Sequence, residues 1–238
     1  MGVEAFVVFL VILIGGVLAV RLRKLTVAGG ITGAVIALAL FFGTGLPGIV
    51  YMSAFFVMAV VATGFKQHAK LQMGAAEPNR GMRDAWQVLA NAGVPCILAL
   101  ISLVTHAHHY LHEIMIAAAF ASAAADTLSS ELGTLYGSRF VDVISFKRGK
   151  RGDNGIISLE GTIIGGLAAG VIGLIHFLFK ADAVAVFVIT AAGILGNYAD
   201  SLLGATLERK GVLGNNSVNL FNTLIAAFVG AFLYNVFN

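Results

Sequence analysis

Eight long apolar runs constrain this chain more than any other feature of its sequence. Each is bounded by polar breaks and approaches the length of about 20 apolar residues that a transmembrane helix needs. Only 11% of the residues are charged, whereas soluble domains average about 25%. The sequence therefore predicts an all-α, polytopic membrane bundle that forms a single domain over residues 1–238. The predicted spans are 3–20, 25–43, 48–65, 84–104, 114–137, 159–179, 183–203 and 217–237.

The basic residues lie almost entirely in alternate breaks between these runs. Of the 15 Lys and Arg residues, all except Lys180 lie in the first, third, fifth and seventh breaks. Since loops rich in Lys and Arg stay in the cytoplasm, we expect both termini outside the cytoplasm, in the plasma (inner) membrane of a prokaryote. This topology explains the pI near 9.1 without a nucleic-acid partner. The single cysteine, Cys96, excludes a disulfide framework.

Polar residues recur at helical spacing and fall in the predicted cytoplasmic halves of five spans. Asp126 and Ser130 are four residues apart, as are Thr127 and Glu131, so each pair shares a helix face. A carboxylate at the bilayer centre costs at least ~2.5 kcal/mol and is functional by default. The opposite halves carry almost nothing polar except His176. We expect one polar pocket, formed by stripes that include Asp84, Gln87 and Asn91; Asp126, Thr127, Ser130 and Glu131; Glu160; Asn197, Asp200 and Ser201; and Asn215, Asn216, Asn219 and Asn222.

The donor types in this pocket suit Mg²⁺. Hydroxyls, amides and carboxylates are hard oxygen ligands, and bound Mg²⁺ is usually completed by waters and substrate phosphates. Asp126 and Asp200 are the predicted metal ligands, with Glu131 and Glu160 as further candidates. Beside the pocket, the loop "SFKRGKRGDNGIIS" combines glycines and cations with a helix start, a composition that favours phosphate binding. Its cations are Lys147, Arg148, Lys150 and Arg151.

Five motifs resemble the successive signatures of one family: "RDAWQVLANAG", "ADTLSSELG", "RGDNGIISLEGTIIGG", "YADSLLGAT" and "NNSVN". This integral membrane family contains the plant phytyl-phosphate kinase and an animal multi-pass relative. Two segments, "ISLEGTIIGG" and "GNYADSLLGATLERKGVLGNN", are also similar to stretches of phosphatidate cytidylyltransferases and dolichol kinases. The second likeness implies a transferase that uses CTP and Mg²⁺ at the cytoplasmic face.

The pocket and the resemblance together predict an isoprenoid lipid kinase. It would phosphorylate a prenyl monophosphate, such as phytyl or geranylgeranyl phosphate, to the diphosphate with CTP or another NTP. An apolar groove between helices would take the prenyl tail from the membrane lipid. The predicted catalytic residues are Asp126, Asp200, Glu131 and Ser130, and the predicted binding residues are Asn91, Lys147, Arg148, Lys150, Arg151, Asn154, Ser158, Asn215, Asn216 and Asn219.

Other interpretations stay open at this point. A CTP:lipid-phosphate cytidylyltransferase would release pyrophosphate, and a proton-coupled transporter or flippase could use Asp126 and Glu131 as a relay. A transporter typically carries an internal repeat, and none is evident here. A lipid-binding scaffold, lipid contact by the basic loops and interhelical bonding by the asparagines are further alternatives. The break "HAHHYLHE" could bind metal through its His-x-His pair, although a solvated loop is the simpler interpretation. A homodimer is compatible with the sequence.

Overall fold

The structure, a computed structural model, describes residues 2–74, 81–105 and 109–238. Within these ranges, eight helices are long and apolar enough to cross a membrane, which confirms the predicted all-α, polytopic fold. A two-stranded antiparallel hairpin, β1 (Phe140–Asp142) and β2 (Ile156–Ser158), connects the sixth and seventh helices. The helices are α1 (Val3–Arg21), α2 (Val27–Thr44), α3 (Leu46–Gly64), the short α4 (Gln67–Gln72), α5 (Ala85–Thr105), α6 (His109–Tyr136), α7 (Leu159–Lys180), α8 (Ala183–Leu203) and α9 (Asn215–Phe237).

Three helices begin at residues whose side chains accept hydrogen bonds from the first turn. The Thr26 hydroxyl accepts from the Gly29 N–H in α2, Ser158 accepts from Gly161 in α7, and Asp182 does the same in α8. Such caps satisfy backbone N–H groups that have no partner within the helix. The starts of α2, α7 and α8 are therefore specified by single polar residues at the edges of the apolar runs.

Helix α6 lies at the centre of the bundle and packs against α3, α5, α7, α8 and α9. Its residues 114–125 are all buried, and most of them are alanine. Small residues let membrane helices approach closely, since lipid provides no hydrophobic driving force between helices. The polar stripe that begins at Asp126 follows this run directly, so the packing of α6 holds the stripe inside the bundle.

The four breaks that carry Lys and Arg meet at one end of the bundle. Leu25 forms a β-bridge with Arg83, which joins the first break to the third. The Arg151 guanidinium contacts the Met73 sulfur. Arg209 forms an ion pair with Asp142, which joins the seventh break to the fifth. We call this the basic end of the bundle.

The opposite end holds a buried polar network that hydropathy does not predict. Tyr51 donates a hydrogen bond to Glu113 Oε1 at 3.1 Å, and its hydroxyl lies 2.8 Å from His176 Nδ1. Lys180 Nζ lies 2.9 Å from Glu113 Oε2. The expectation that this end carries almost nothing polar except His176 is therefore wrong. The predicted spans leave Glu113 in a loop, but α6 begins at His109 and buries it. The His-x-His pair of that loop lies outside the described residues.

Close crossing of α2 and α5 depends on Gly43. A Cβ atom at this position would overlap the backbone carbonyl of Ala99. We expect Gly43→Ala to lower the free energy of unfolding by about 1–3 kcal/mol, the usual cost of overpacking. The matched control is Gly170→Ala in α7, where the nearest heavy atom to a new Cβ lies 4.0 Å away. Thermal unfolding of the detergent-solubilised protein measures both, and equal midpoints for the two variants would contradict this account of the crossing.

Candidate functional site

A polar cavity of about 300 Å³ lies near the basic end of the bundle. Its lining comes from α3, α5, α6, α7, α8 and α9, from β2 and from the loop that precedes β2. Nine of the residues predicted from sequence for catalysis, metal or ligand binding contribute to it. These are Asn91, Asp126, Ser130, Glu131, Asn154, Ser158, Asp200, Asn215 and Asn219.

The carboxyl groups of Asp126 in α6 and Asp200 in α8 both line the cavity and lie close enough to interact directly. Two ionised carboxylates this close repel each other, unless they share a proton or a cation. The sequence stripes on two helices that are distant in the chain therefore converge on one acidic pair. This pair is the chemical centre of the cavity.

Amide and hydroxyl side chains position the acidic pair. Ser122 donates a hydrogen bond to Asn222 Oδ1, so the Asn222 amide nitrogen faces Asp200 and donates to its Oδ2 at 3.4 Å. A second contact between α8 and α6 is made by Asn197, whose Nδ2 lies 3.2 Å from Ser129 Oγ. Because these contacts link α6 to α8 and α9, they fix the relative positions of the two acidic helices.

The acidic pair fits a Mg²⁺ ion that is shared with phosphate groups. Within the described residues, no three His, Cys, Asp or Glu side chains come close enough to hold a metal ion together. Mg²⁺ does not need such a group, because it commonly binds one or two carboxylates together with waters and substrate phosphates. Asp126 and Asp200 would hold the ion. Their carboxylate oxygens are the hard donors that it prefers.

The first turns of α7 and α9 also border the cavity. Ser158, Gly161 and Thr162 line it from α7, and Asn215 and Asn219 line it from α9. The N-terminus of a helix carries partial positive charge and free N–H groups, which favour anions. The two helix starts therefore place positive potential in a cavity that also holds the carboxylate pair.

The structure does not place the predicted cations of the β1–β2 loop in the cavity lining. Lys147, Arg148 and Lys150 are exposed, because the loop folds back on β1 and turns them outwards. Arg151 packs over the Phe140 ring, with 4.7 Å between its guanidinium carbon and the ring centroid. Asn216 likewise lies outside the lining, unlike its neighbours in α9.

The two further candidate metal ligands each have another partner. Glu131 borders the cavity, but its Oε2 lies 2.5 Å from the buried ammonium group of Lys70. Glu160 lies outside the lining, and its Oε1 accepts hydrogen bonds from the Ser138 hydroxyl at 2.6 Å and the Ser138 N–H at 3.2 Å. Glu131 and Glu160 thus contact Lys70 and Ser138, whereas Asp126 and Asp200 lie together in the cavity.

Three charged residues of the lining, Arg83, Asp153 and Glu208, were not predicted from sequence. Arg83 enters the cavity immediately before α5, and its Nη2 lies 3.4 Å from Thr63 Oγ1. Glu208 ends a π-helical turn, Gly204–Glu208, that continues α8. Such turns occur frequently at functional sites, but no residue pattern in this segment indicates one. Arg83 could have been found, since it directly precedes the predicted polar stripe of α5.

Arg209 fixes the loop before β2 over the cavity. Its Nη1 lies 2.5 Å from Asp142 Oδ2, and its Nε donates to the Asn154 carbonyl at 2.6 Å. Asp142 also accepts hydrogen bonds from Ser145, and these, followed by Arg209, hold the pKa of the Asp142 carboxyl well below its usual range. The low pKa keeps the Asp142 carboxylate ionised further into the acidic pH range. Its contribution is present above the ordinary carboxyl pKa and is lost only as the pH falls through the lowered value.

Loss of this contact should loosen the loop without unfolding the bundle. We expect Arg209→Gln to increase hydrogen exchange in residues 152–158 and to lower the activity proposed below by about tenfold, because loop residues would no longer be held at the cavity. Lys210→Gln, at the exposed neighbouring cation, is the control and should change neither. Unchanged exchange in Arg209→Gln would show that other contacts hold the loop.

The fold and the cavity together define a multi-pass membrane protein with a half-buried carboxylate pair in a polar cavity near one end of its bundle. The chain belongs to the family of integral membrane proteins DUF92, whose sequence model matches residues 10–227. This match confirms the family resemblance of the motifs.

Named relatives share this sequence over most of its length. The chain is 31% identical over 232 residues to the uncharacterized membrane protein MJ0933 of Methanocaldococcus jannaschii, which covers 98% of this chain and 95% of that protein. It is 30% identical over 213 residues to Protein VTE6, chloroplastic, of Arabidopsis thaliana, which covers 84% of this chain but only 64% of VTE6. Protein PGR of the same plant is 26% identical over 254 residues, covering 87% of this chain and 88% of PGR. No solved structure matches the chain significantly.

Proposed function

We propose that the protein is a nucleotide-dependent phosphotransferase that converts a prenyl monophosphate, of the phytyl or geranylgeranyl type, to the diphosphate. The observation that carries the proposal is the contact between Asp126 and Asp200 in a polar cavity inside a membrane bundle. The relationship to VTE6 and the motif resemblance to a family that contains phytyl-phosphate kinase support the choice of a prenyl phosphate. The proposal places the bundle in the plasma membrane of a prokaryote, with its basic end toward the cytoplasm as the positive-inside rule predicts. Nucleotides are available on that side.

The reaction requires one phosphoryl transfer. An oxygen of the acceptor phosphate forms a bond to the γ-phosphorus of the nucleotide, and the bond from that phosphorus to the β–γ bridging oxygen breaks. The products are the prenyl diphosphate and a nucleoside diphosphate. Because the acceptor phosphate is already anionic, no strong general base is needed, and catalysis depends on positioning and charge stabilisation.

The cavity residues can supply that positioning. Asp126 and Asp200 would hold Mg²⁺, which neutralises charge on the phosphates when it is bound. Asn91, Asn215 and Asn219 line the cavity and have amide donors for phosphate oxygens. The first turns of α7 and α9 add N–H groups directed at anions. A single chain supplies this whole lining, so the proposal requires no dimer.

Two singly labelled preparations of CTP distinguish this function from its closest alternative. Purified protein in lipid nanodiscs is incubated with Mg²⁺, prenols or prenyl monophosphates, and CTP that carries label in either the α- or the γ-phosphate; ATP is tested in parallel. A kinase transfers only the γ label to lipid and releases CDP or ADP. Transfer of the α label with release of pyrophosphate would identify a cytidylyltransferase instead. If neither label reached any lipid, the phosphotransferase proposal would be rejected.

A further inference from the structure

A second cavity, an apolar groove of about 270 Å³, lies between α1, α2, α3 and α5. Its walls are aliphatic and aromatic side chains and glycines; among the described residues, Ser53 is the one polar side chain of the lining away from α5 and its start. Val11 and Val57 at its edge are 60% and 58% exposed, so the groove opens toward the surrounding lipid. In a membrane, such an opening gives access to hydrocarbon chains.

The groove and the polar cavity share part of their lining. Arg83, Gln87 and Asn91 border both. The two spaces therefore meet at the start of α5. Arg83 gives this junction a positive charge, whereas the walls of the groove beyond it are apolar. A lipid that carries a phosphate on a hydrocarbon tail has the matching distribution of charge.

The backbone of Arg83 is fixed relative to α2. Its N–H donates to the Lys24 carbonyl at 3.0 Å, and its own carbonyl accepts from the Thr26 N–H at 2.9 Å. A Cβ atom on Gly29 would lie 2.8 Å from that carbonyl, so the close approach requires glycine. The guanidinium is therefore carried by a fixed segment of backbone, at the end of the groove that borders the polar cavity. Arg is the side chain best suited to bind a phosphate at such a junction.

Gly33 in α2 lies in the wall of the groove, about 10 Å along the helix from Thr26, by the rise of 1.5 Å per residue. It is buried, yet the nearest atom to a new Cβ would be the flexible Met52 Cε at 3.8 Å. The space beside Gly33 therefore belongs to the groove rather than to a tight helix crossing. A side chain here would begin in the space of the groove, since no backbone atom of a neighbouring helix lies within 4 Å of a new Cβ.

We propose that this groove holds the hydrocarbon tail of the lipid phosphate acceptor, that Arg83 binds the acceptor's phosphate, and that Gly33 determines how long a tail is accepted. The inference rests on the proposed function, which requires such an acceptor. A tail that starts at Arg83 passes Gly33 partway along the groove. Short tails end before that position, whereas long tails must pass it.

Substitution at Gly33 tests tail selection. The variant Gly33→Leu is assayed with geranyl, farnesyl and geranylgeranyl monophosphates. We expect kcat/KM to fall by at least about tenfold for the longest acceptor, as expected when a hydrophobic pocket loses space for part of a substrate, and to change little for the shortest. Gly170→Leu in α7 is the matched control, since it enlarges a membrane glycine outside both cavities. An equal loss for all three acceptors, or no loss, would overturn the role of Gly33.

Substitution at Arg83 tests the phosphate contact. In Arg83→Gln we expect the KM for the acceptor phosphate to rise by at least about tenfold and the KM for the nucleotide to change much less. Arg83→Lys, which keeps the charge, should recover part of the loss. A similar rise in both KM values would place Arg83 on the nucleotide instead and overturn its assignment.

Photo-crosslinking of the unmodified protein tests the groove without relying on a variant or on turnover. The probe is farnesyl monophosphate with a diazirine at the far end of its tail, and crosslinked peptides are identified by mass spectrometry. We expect labelling in α1, α2 or α3 that excess geranylgeranyl phosphate displaces and excess phosphatidylglycerol does not. Labelling elsewhere, or equal displacement by phosphatidylglycerol, would overturn the groove assignment. Groove labelling without phosphoryl transfer would remove only the proposed function, and turnover with labelling elsewhere would remove only the groove.

Discussion

Replacement of Asp126 or Asp200 by asparagine should lower the rate of phosphoryl transfer by about 10²–10³-fold, the usual loss when one electrostatic group of an active site is removed. Each substitution keeps the size of the side chain and removes one carboxylate of the contacting pair. A single remaining carboxylate holds Mg²⁺ poorly, so the Mg²⁺ concentration for half-maximal rate should rise as well. Initial rates at a series of Mg²⁺ concentrations measure both effects.

Folding should not suffer in these variants. Two carboxyl groups in contact inside the bundle repel when both are ionised, and an amide at one position removes that repulsion. We therefore expect the unfolding midpoint of Asp126→Asn and Asp200→Asn to stay the same or to rise, as often occurs when a strained functional site is relieved. A parallel loss of activity and of folded protein would instead assign the pair a structural role.

A double variant and a control make this test specific. Residues that act as a unit are not additive, so Asp126→Asn/Asp200→Asn should be about as inactive as the more impaired single variant. Glu160→Gln removes a carboxylate near the cavity whose Oε1 binds Ser138, and it should keep most of the activity. A loss in Glu160→Gln as large as in the aspartate variants would restore Glu160 as a metal ligand.

The spans and the acidic pair could be predicted because each depends on a pattern within one segment. Apolar runs of bilayer length and the alternation of basic breaks are properties of local sequence. The i, i+4 spacing places Asp126 and Ser130 on one face of α6, and the cost of burying a carboxylate in a membrane indicates that the face meets a polar partner. Asp200 follows from the same argument applied to α8.

The partners that neutralise charge could not be predicted, because they depend on how separate segments approach. Lys70 and Glu113 both lie in breaks that hydropathy assigns to loops, yet both are buried. The loop cations Lys147 and Arg148 follow the expected composition of a phosphate site, but the register of the hairpin turns them outwards. Composition indicates which residues could bind phosphate, whereas strand register decides which of them face the cavity.

Replacement of Lys70 by methionine should destabilise the protein by about 3–5 kcal/mol, the usual cost of removing one partner of a buried ion pair. Lys70 and Glu131 are only 1% and 6% exposed. Without the ammonium group, the Glu131 carboxylate would stay buried with no opposite charge at its Oε2. The unfolding midpoint in detergent, or the population of folded protein on size exclusion, measures the effect.

Lys70 also closes the end of α3, which adds to the expected loss. Its Nζ donates to the carbonyls of Ala62 at 2.7 Å and Thr63 at 3.1 Å, in the last turn of that helix. Carbonyls at a helix C-terminus have no partner within the helix and carry partial negative charge. The three donors of the ammonium group are thus all used. Lys66→Met is the matched control, because Lys66 lies in the same segment but is exposed, and its midpoint should change little.

The double variant Lys70→Met/Glu131→Met separates the structural role of Glu131 from the catalytic role that the sequence predicts for it. Replacing both partners of a buried ion pair by apolar groups of similar volume is often neutral for stability, so we expect the double variant to recover most of the folding that Lys70→Met loses. If activity also returns, the function of Glu131 is to hold Lys70 and α4 against α6. If the folded double variant stays inactive, Glu131 acts on the substrates directly, because it borders the cavity that holds the acidic pair. A double variant less stable than Lys70→Met would contradict the ion-pair argument itself.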